Sequence, residues 1–417
     1  MSIPATHRIV LVLAAFPVLS ETFIVSKFLG LLQAGWDVHI VCTRSDPAEL
    51  AHFPQLKQQP DVKSRIHRTW PVHPRFIVFL LYPLALIRAL LANPRGLLRY
   101  FRRGAQAQGW RILPRFYLDF QLLALKPDLI HFEFGAMARG RADLNALLDC
   151  KEVVSFRGYD LNFSGLDQPG YYDSVWQHAD AFHFLGQDLR QRALRRGCPS
   201  QKPYALIPPA IDAVFFSPGE TGHPAQAVTP ERPFRILSVG RLEWKKGYEF
   251  ALQAVRELVE RGIPCEYRIL GGGPYLPALA YARHQLGLEE VVEFLGPQPR
   301  EQISTGLAWA DAFLHAAVSE GFCNAVLEAQ AMQVPVVCSD ADGLPENVLH
   351  GVTGFVVPRR DVRALADHLE KLAASPDLRA EMGREGRQRV ISHFQLEDQI
   401  KRFASFYTQI LESTNAN

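Results

Sequence analysis

The chain has 417 residues, enough for two domains of ordinary size. Hydrophobic residues make up 48% and charged residues 21%, a globular balance that excludes a disordered chain. A formal charge of +2 gives no electrostatic reason to expect nucleic acid as a partner. The six cysteines (Cys42, Cys150, Cys198, Cys265, Cys323 and Cys338) are scattered, which favours a reducing compartment and argues against a structural zinc site.

The N-terminal "RIVLVLAAF" reads as a buried parallel strand. Its apolar run is too short and too weakly flanked by positive charge for a signal peptide. An amphipathic helix over Glu21 to Trp36 and a strand at "DVHIVCT" complete a β-α-β unit. Later strands are expected at "DLIHFEF", "KEVVSFRG", "AFHFLG" and "YALIPPAI". Between the early and later strands lies residues 65–115, where "FIVFLLYPLALIRALL" is mixed with Arg88, Arg95, Arg99, Arg102, Arg103, Arg111 and Arg115. No acidic residue occurs from Val62 to Leu118. One reading is ordinary amphipathic helices with solvated arginines. The other, favoured by the missing acids, is a basic and apolar surface for peripheral contact with anionic lipid or a lipid-linked substrate. No stretch is long and charge-free enough to be expected as a membrane span.

A Pro-, Gly-, Ala- and Thr-rich segment, Ser217 to Pro233, reads as an exposed linker. The alternation then restarts: strand "FRILSVG", helix around Tyr248 to Arg261, strand "EYRILGG", helix around Leu276 to Leu286, strand "VVEFLG" and helix around Glu301 to Ala310. Strand "DAFLHAAV", a helix from near Phe322, strands "VPVVCS" and "GFVVP", and closing helices ending with Gln395 to Leu411 follow. This pattern predicts two Rossmann-like α/β domains with parallel sheets facing a cleft. Their expected limits are residues 1–212 and 213–394, with 395–417 packing back on the first.

In the second half, Gly240 permits a tight turn with close backbone approach, and Arg241 leaves the carboxyl end of a strand, where open parallel sheets bind ligands. Lys245 and Lys246 follow before the next helix. Such converging cations suit a diphosphate, although a lone lysine pair would be only a solvated helix start. The stretch "SEGFCNAVLEAQAMQVPVV" adds a helix N-terminus, which favours an anion, and two carboxylates. Glu320 would sit in the loop, and Glu328 about two turns into the helix, roughly 9–12 Å along its axis. A carboxylate accepts two hydrogen bonds and so fits a ribose 2′,3′-diol. Glu320 near the sugar and Glu328 at the ribose would bracket a diphosphate.

Glu320 and Glu328 with "PVVCSDADGLPENVLHGVTGFVVP" downstream and "VGRL…KKG" upstream resemble the family-4 retaining glycosyltransferases of the GT-B fold. Thinner matches, "FPVLSETFI", "DLIHFEFG", "SFRGYDL" and "IPPAIDAVFF", resemble its bacterial exopolysaccharide members. The resemblance implies transfer of a hexose from a UDP- or GDP-linked donor to a glycan or lipid-linked acceptor, with no cofactor and no metal. It implies Arg241 and Lys246 on the diphosphate, Glu328 on the ribose, and Glu320, taken as catalytic, with Gly321, Phe322 and Cys323 on the donor side. It also implies a final helix crossing back to the first domain. The scattered cysteines and the basic, apolar region 65–115 together lead us to expect a cytoplasmic enzyme resting peripherally at the inner face of the cell membrane.

Several positions depart from that pattern. Arg157 stands where the family usually has His and cannot shuttle a proton, because its pKa keeps it charged. It is expected on the acceptor or donor-sugar side, where it could bind a phosphate or carboxylate. Ser20 and Glu21 occupy a helix start in place of a Gly-rich loop, and Gln333 stands where a helix-ending Gly is common. Asp340-Ala-Asp342 has the spacing of a metal site in another glycosyltransferase class but reads here as a turn. The run "LGGGP" either lines the donor site or simply turns. His131 is either an acceptor-side contact or a packed core histidine. A UDP-sugar 2-epimerase and a non-catalytic nucleotide-sugar-binding protein remain as alternative functions.

Overall fold

The computed structural model describes residues 7–18, 21–46, 49–50, 53–59, 61–219 and 226–413. Among the described residues thirteen strands alternate with helices: β1 (Arg8–Ala15), β2 (Asp37–Arg44), β3 (Ile66–Arg68), β4 (Leu129–Phe132), β5 (Lys151–Phe156), β6 (Ala181–Phe184), β7 (Tyr204–Leu206), β8 (Phe234–Val239), β9 (Cys265–Leu270), β10 (Val292–Gly296), β11 (Ala312–His315), β12 (Val336–Ser339) and β13 (Gly354–Val357). They form two wholly parallel sheets, ordered β3-β2-β1-β4-β5-β6-β7 and β10-β9-β8-β11-β12-β13. Central strands such as β4, β6, β11 and β12 are buried at every position, which is why they read as continuous apolar runs. Each sheet reverses its direction of winding once, between β1 and β4 and between β8 and β11. The loops leaving those strands are where such sheets form ligand crevices.

The chain divides into two compact units. One holds residues 1–184, 190–207 and 399–417, the other 185–189 and 208–398. The change of unit therefore falls at Ile207/Pro208 and not at residue 212, and the short segment 185–189 groups with the second unit. The linker expected at Ser217 to Pro233 is anchored at its end. Arg232 donates to both carboxylate oxygens of Asp311 at 2.9 and 2.8 Å. The final helix, Leu396–Glu412, buries Phe403 and Tyr407 in the first unit.

Strand β3 is absent from the sequence reading. It is three residues long, sits at the sheet edge and carries His67 and Arg68, so it shows no apolar run. Residues 65–115 include two long helices, Arg75–Ala92 and Pro94–Gln108, followed by Ile112–Leu125. The first is long and apolar enough to cross a membrane by length and composition, which corrects the earlier expectation. At about 1.5 Å per residue its 18 residues span ~27 Å. Only Ala85 and Ala89 in it are buried, while Phe79, Leu80 and Leu91 are exposed. Tyr82 donates to the carbonyl of Leu113 at 3.0 Å, fastening this helix along Ile112–Leu125. The absence of acids near the arginines is also partly undone by folding. Arg99 and Arg103 pair with Asp149, and Arg115 pairs with Asp119 and Asp143. Those carboxylates arrive from beyond the acid-free window.

Candidate functional site

At the β8/β11 switch point the two outgoing loops are tied together by their backbones. Val318 and Ser319 donate to the carbonyl of Lys245 at 2.9 and 3.3 Å. Gly247 turns with φ +63°, and a Cβ there would lie 2.1 Å from the carbonyl oxygen of Ala316, so only glycine allows this approach. Gly271 of the "LGGGP" run packs against the carbonyl of Gly240, where a Cβ would lie 1.8 Å away. Close approach to the Gly240 turn accounts for that glycine.

The tied loops bring Lys246 and Glu320 into a direct ion pair, each side chain 14% exposed. The sequence placed these two groups on different parts of a ligand and did not anticipate that they meet. His315, at the end of β11, lies with Nε2 3.3 Å from Oε2 of Glu320 and 3.5 Å from the Cys323 sulfur. Burial alone would push the Glu320 carboxyl up, but Lys246 and His315 outweigh it and hold its pKa at about 2. Burial would likewise lower His315, yet Cys323 and Glu320 raise it. A carboxyl so low stays ionised at working pH. Glu320 is therefore a fixed negative charge and hydrogen-bond acceptor, not a proton donor.

The loop carrying Glu320 is pinned from behind. Asp342 accepts from the Ser319 hydroxyl at 2.6 Å and from the Glu320 N–H at 3.1 Å. Asn347 accepts from the Cys323 N–H at 3.2 Å and donates to its carbonyl at 3.1 Å. The Asp340/Asp342 pair is thus turn structure in which Asp342 also positions Glu320, and Arg359 bonds to both carboxylates. The Phe322 ring packs against Phe394, with ring centroids 6.0 Å apart. Arg241 is 64% exposed and leans on Glu243 at 2.9 Å, and Lys245 pairs with the same carboxylate at 3.0 Å. Sequence reasoning passed over Glu243 and His315, and read Asp342 only as part of a turn.

The helix begins at Asn324, not near Phe322, and runs only to Ala331. Glu328 therefore stands just over one turn in, about 6 Å along the axis from Asn324 and not 9–12 Å. Its carboxylate makes no hydrogen bond or ion pair among the described residues. Burial raises its pKa to about 7, against the opposing charge of Arg300. A half-buried carboxyl with no protein hydrogen bond among the described residues, beside a sheet's ligand edge, is free to accept hydrogen bonds from a ligand.

The first unit has its own cluster at the corresponding β1/β4 edge. Lys27 donates to Oε1 of Glu133 at 2.5 Å, and Arg157 donates to Oε2 at 3.0 Å and to the Glu133 carbonyl at 3.1 Å. Burial lowers Lys27 to about 8, with Glu133 opposing. The Arg157 guanidinium lies over the Phe23 ring, 4.1 Å from its centroid. Its own N–H donates to Asp160 at 3.0 Å, starting the short helix Gly158–Asn162.

His131 is fully buried, which removes it as an acceptor-side contact and leaves the packed alternative. It bonds Tyr407 at 2.6 Å and Ser155 at 2.7 Å, so the strand-end position that suggested contact with ligand faces the final helix. Glu21 is half-buried beside the Thr22–Gln33 helix start and makes no side-chain cap there. Ser20 lies outside the described residues.

Residues 221–389 match the family described as glycosyl transferases group 1. Among curated relatives, the chain is 28% identical to the putative colanic acid biosynthesis glycosyltransferase WcaL of Escherichia coli (strain K12). That match covers 86% of this chain and 88% of the relative. It is 32% identical to a GDP-mannose-dependent alpha-(1-6)-phosphatidylinositol monomannoside mannosyltransferase of Mycolicibacterium smegmatis, over 63% of this chain and 72% of the relative. Among solved structures, Anabaena Alr3699/HepE in complex with UDP and glucose superposes with a TM-score of 0.70 at 16% identity. It covers 97% of this chain and 100% of that one, a likeness of fold.

Proposed function

This chain belongs to the group 1 glycosyl transferases, and from that membership we propose a retaining hexosyltransferase of polysaccharide biosynthesis. It takes a UDP- or GDP-linked sugar and a glycan or lipid-linked acceptor. The observation that carries this reading is the convergence at the β8/β11 edge of Lys246, Arg241, the ionised Glu320 and the unpartnered Glu328. Lys246, Arg241 and the N–H groups at the start of the Asn324–Ala331 helix neutralise the departing diphosphate without a metal. Glu328 accepts from the ribose diol, and Glu320 accepts from sugar hydroxyls and faces positive charge developing at the anomeric carbon. The acceptor oxygen bonds to that carbon as its bond to the phosphate oxygen breaks. The departing phosphate takes the acceptor proton on the same face.

Donor turnover by purified protein with membrane lipid extract tests the reading. Transfer of the sugar supports it. Epimerised free donor would indicate an isomerase, and tight binding without turnover a non-catalytic protein. Lys246→Ala should weaken nucleoside diphosphate binding roughly 10- to 100-fold, the worth of a charge-assisted hydrogen bond. Unchanged affinity removes the diphosphate assignment.

The reading includes a cytoplasmic enzyme resting peripherally on the inner membrane face. Phe76, Phe79, Leu80, Leu84 and Leu91 expose an apolar helix face, and Trp110 is exposed nearby. Arg75, Arg88, Arg95, Arg102 and Arg111 make no ion pair among the described residues and suit anionic headgroups. Exchanging Arg95, Arg102 and Arg111 for Gln should lower co-sedimentation with phosphatidylglycerol vesicles. Unaltered co-sedimentation overturns the membrane contact.

A further inference from the structure

One short loop, from the end of β11 to the start of the Asn324–Ala331 helix, carries three side chains of different donor chemistry. His315 offers an imidazole nitrogen, Glu320 a carboxylate oxygen and Cys323 a sulfur, all within 4.8 Å of one another. Tetrahedral zinc, with bonds of about 2.0–2.3 Å, holds neighbouring ligand atoms about 3.3–3.6 Å apart. The His315 nitrogen lies 3.3 Å from Glu320 and 3.5 Å from Cys323. Two of the three separations thus already have the spacing a bound ion would impose.

The loop is also prepared behind its donors. Asn347 clamps the Cys323 backbone from both sides, and Asp342 fixes the Glu320 backbone. Such backing groups hold ligands in orientation at metal sites. Three donors leave a fourth position open, as in sites that exchange water or substrate, and a thiolate–imidazole–carboxylate set selects zinc-like ions over magnesium. The absence of paired cysteines in the sequence argues against a closed structural site and not against an open one. The opposing feature is Lys246, which already holds the Glu320 carboxylate.

We propose that His315, Glu320 and Cys323 bind a thiophilic divalent cation such as zinc, and that this ion competes with the nucleotide-sugar donor. Ligation takes Cys323 as thiolate, its proton leaving to solvent, and draws Glu320 away from Lys246. The cation and the sugar of the donor then exclude each other, because both call on the Glu320 carboxylate. The competition rests on the donor site proposed above, whereas the binding of metal does not.

Cobalt(II), titrated into the full-length, reduced, metal-free protein, is the probe. A thiolate-to-cobalt charge-transfer band should saturate at one equivalent, and at free cobalt held constant by a metal buffer the intact UDP- or GDP-linked sugar should displace it. Cys323→Ser should abolish the band, with thermal unfolding checked on the same sample. Lys246→Ala should tighten cobalt binding about tenfold while weakening the nucleotide, opposite shifts that general damage to the fold would not give. A missing band in the wild type, a band that survives Cys323→Ser, or weaker cobalt binding in Lys246→Ala overturns the metal site. A band that neither nucleotide sugar displaces at constant free cobalt overturns the competition. Loss of glycosyl transfer alongside an intact band counts against the proposed function and leaves the metal site standing.

Discussion

The two sheets place similar chemistry at their switch points and leave it in different states. In the first unit Lys27, Glu133 and Arg157 form a cation–carboxylate–cation cluster, with Lys27 and Glu133 buried, Arg157 13% exposed at its rim, and Tyr407 of the final helix closing over His131 beside it. In the second unit Lys246, Glu320 and His315 form the analogous cluster, but Lys246 and Glu320 keep some exposure, Arg241 reaches solvent, and Glu328 makes no hydrogen bond or ion pair among the described residues. A buried lysine–glutamate pair thus lies sealed at the centre of the first cluster, whereas the corresponding pair of the second keeps access to solvent. What separates them is which neighbours are left unsatisfied.

The largest expected effect tests the sealed cluster. Glu133→Gln leaves Lys27 buried without its counter-charge and should cost about 3–5 kcal/mol of stability by urea unfolding. Glu320→Gln should cost less, since Lys246 can reach water, but should suppress transfer strongly. If the two substitutions destabilise equally, the contrast between sealed and open clusters fails.

Next comes Glu328. Its pKa of about 7 lies above the ordinary 4.5, so the folded chain favours the proton, and this site's contribution to stability declines as pH rises from 4.5 through 7. A ribose diol bonds best to the ionised carboxylate. Donor affinity should therefore rise about tenfold between pH 6 and pH 8 and level off above, if the carboxyl is ionised throughout in the complex. Glu328→Gln should flatten that profile in calorimetric titrations. A steep rise that survives the substitution would place the titrating group elsewhere. On the sealed side, Tyr407→Phe removes the hydroxyl bonded to His131 and should cost about 1 kcal/mol, without altering nucleotide affinity.

Much of the fold was legible because its strands are buried on both faces and therefore read as apolar runs between helical stretches. Strand β3 was not legible, since three residues with two basic side chains at a sheet edge carry no such signal. The open cluster was half legible. Arg241, Lys246, Glu320 and Glu328 stand out because charges at the ends of apolar strands and inside apolar helices need a reason. That Lys246 meets Glu320 depends on the backbone tie between two loops 74 positions apart, which local pattern does not encode. His131 misled for the opposite reason. A histidine near a strand's carboxyl end looks available until the final helix, 276 positions later, covers it.

The smallest expected effect sharpens the comparison at the helix that carries Glu328. That helix ends into Gln333, whose φ of +60° lies in the left-handed region where a glycine would be unstrained. A side chain there costs about 1–2 kcal/mol, while glycine adds about 0.5–1 kcal/mol of unfolded-chain entropy. Gln333→Gly should therefore gain only about 0.5 kcal/mol in thermal unfolding. Its value lies in the second readout. If the open cluster is set by the loop ties to Lys245, Asp342 and Asn347, relaxing the far end of the helix leaves nucleotide affinity and its pH profile unchanged. A shift in either would mean that the strained helix end helps aim Glu328, and that the open cluster, like the sealed one, is held from behind by its packing.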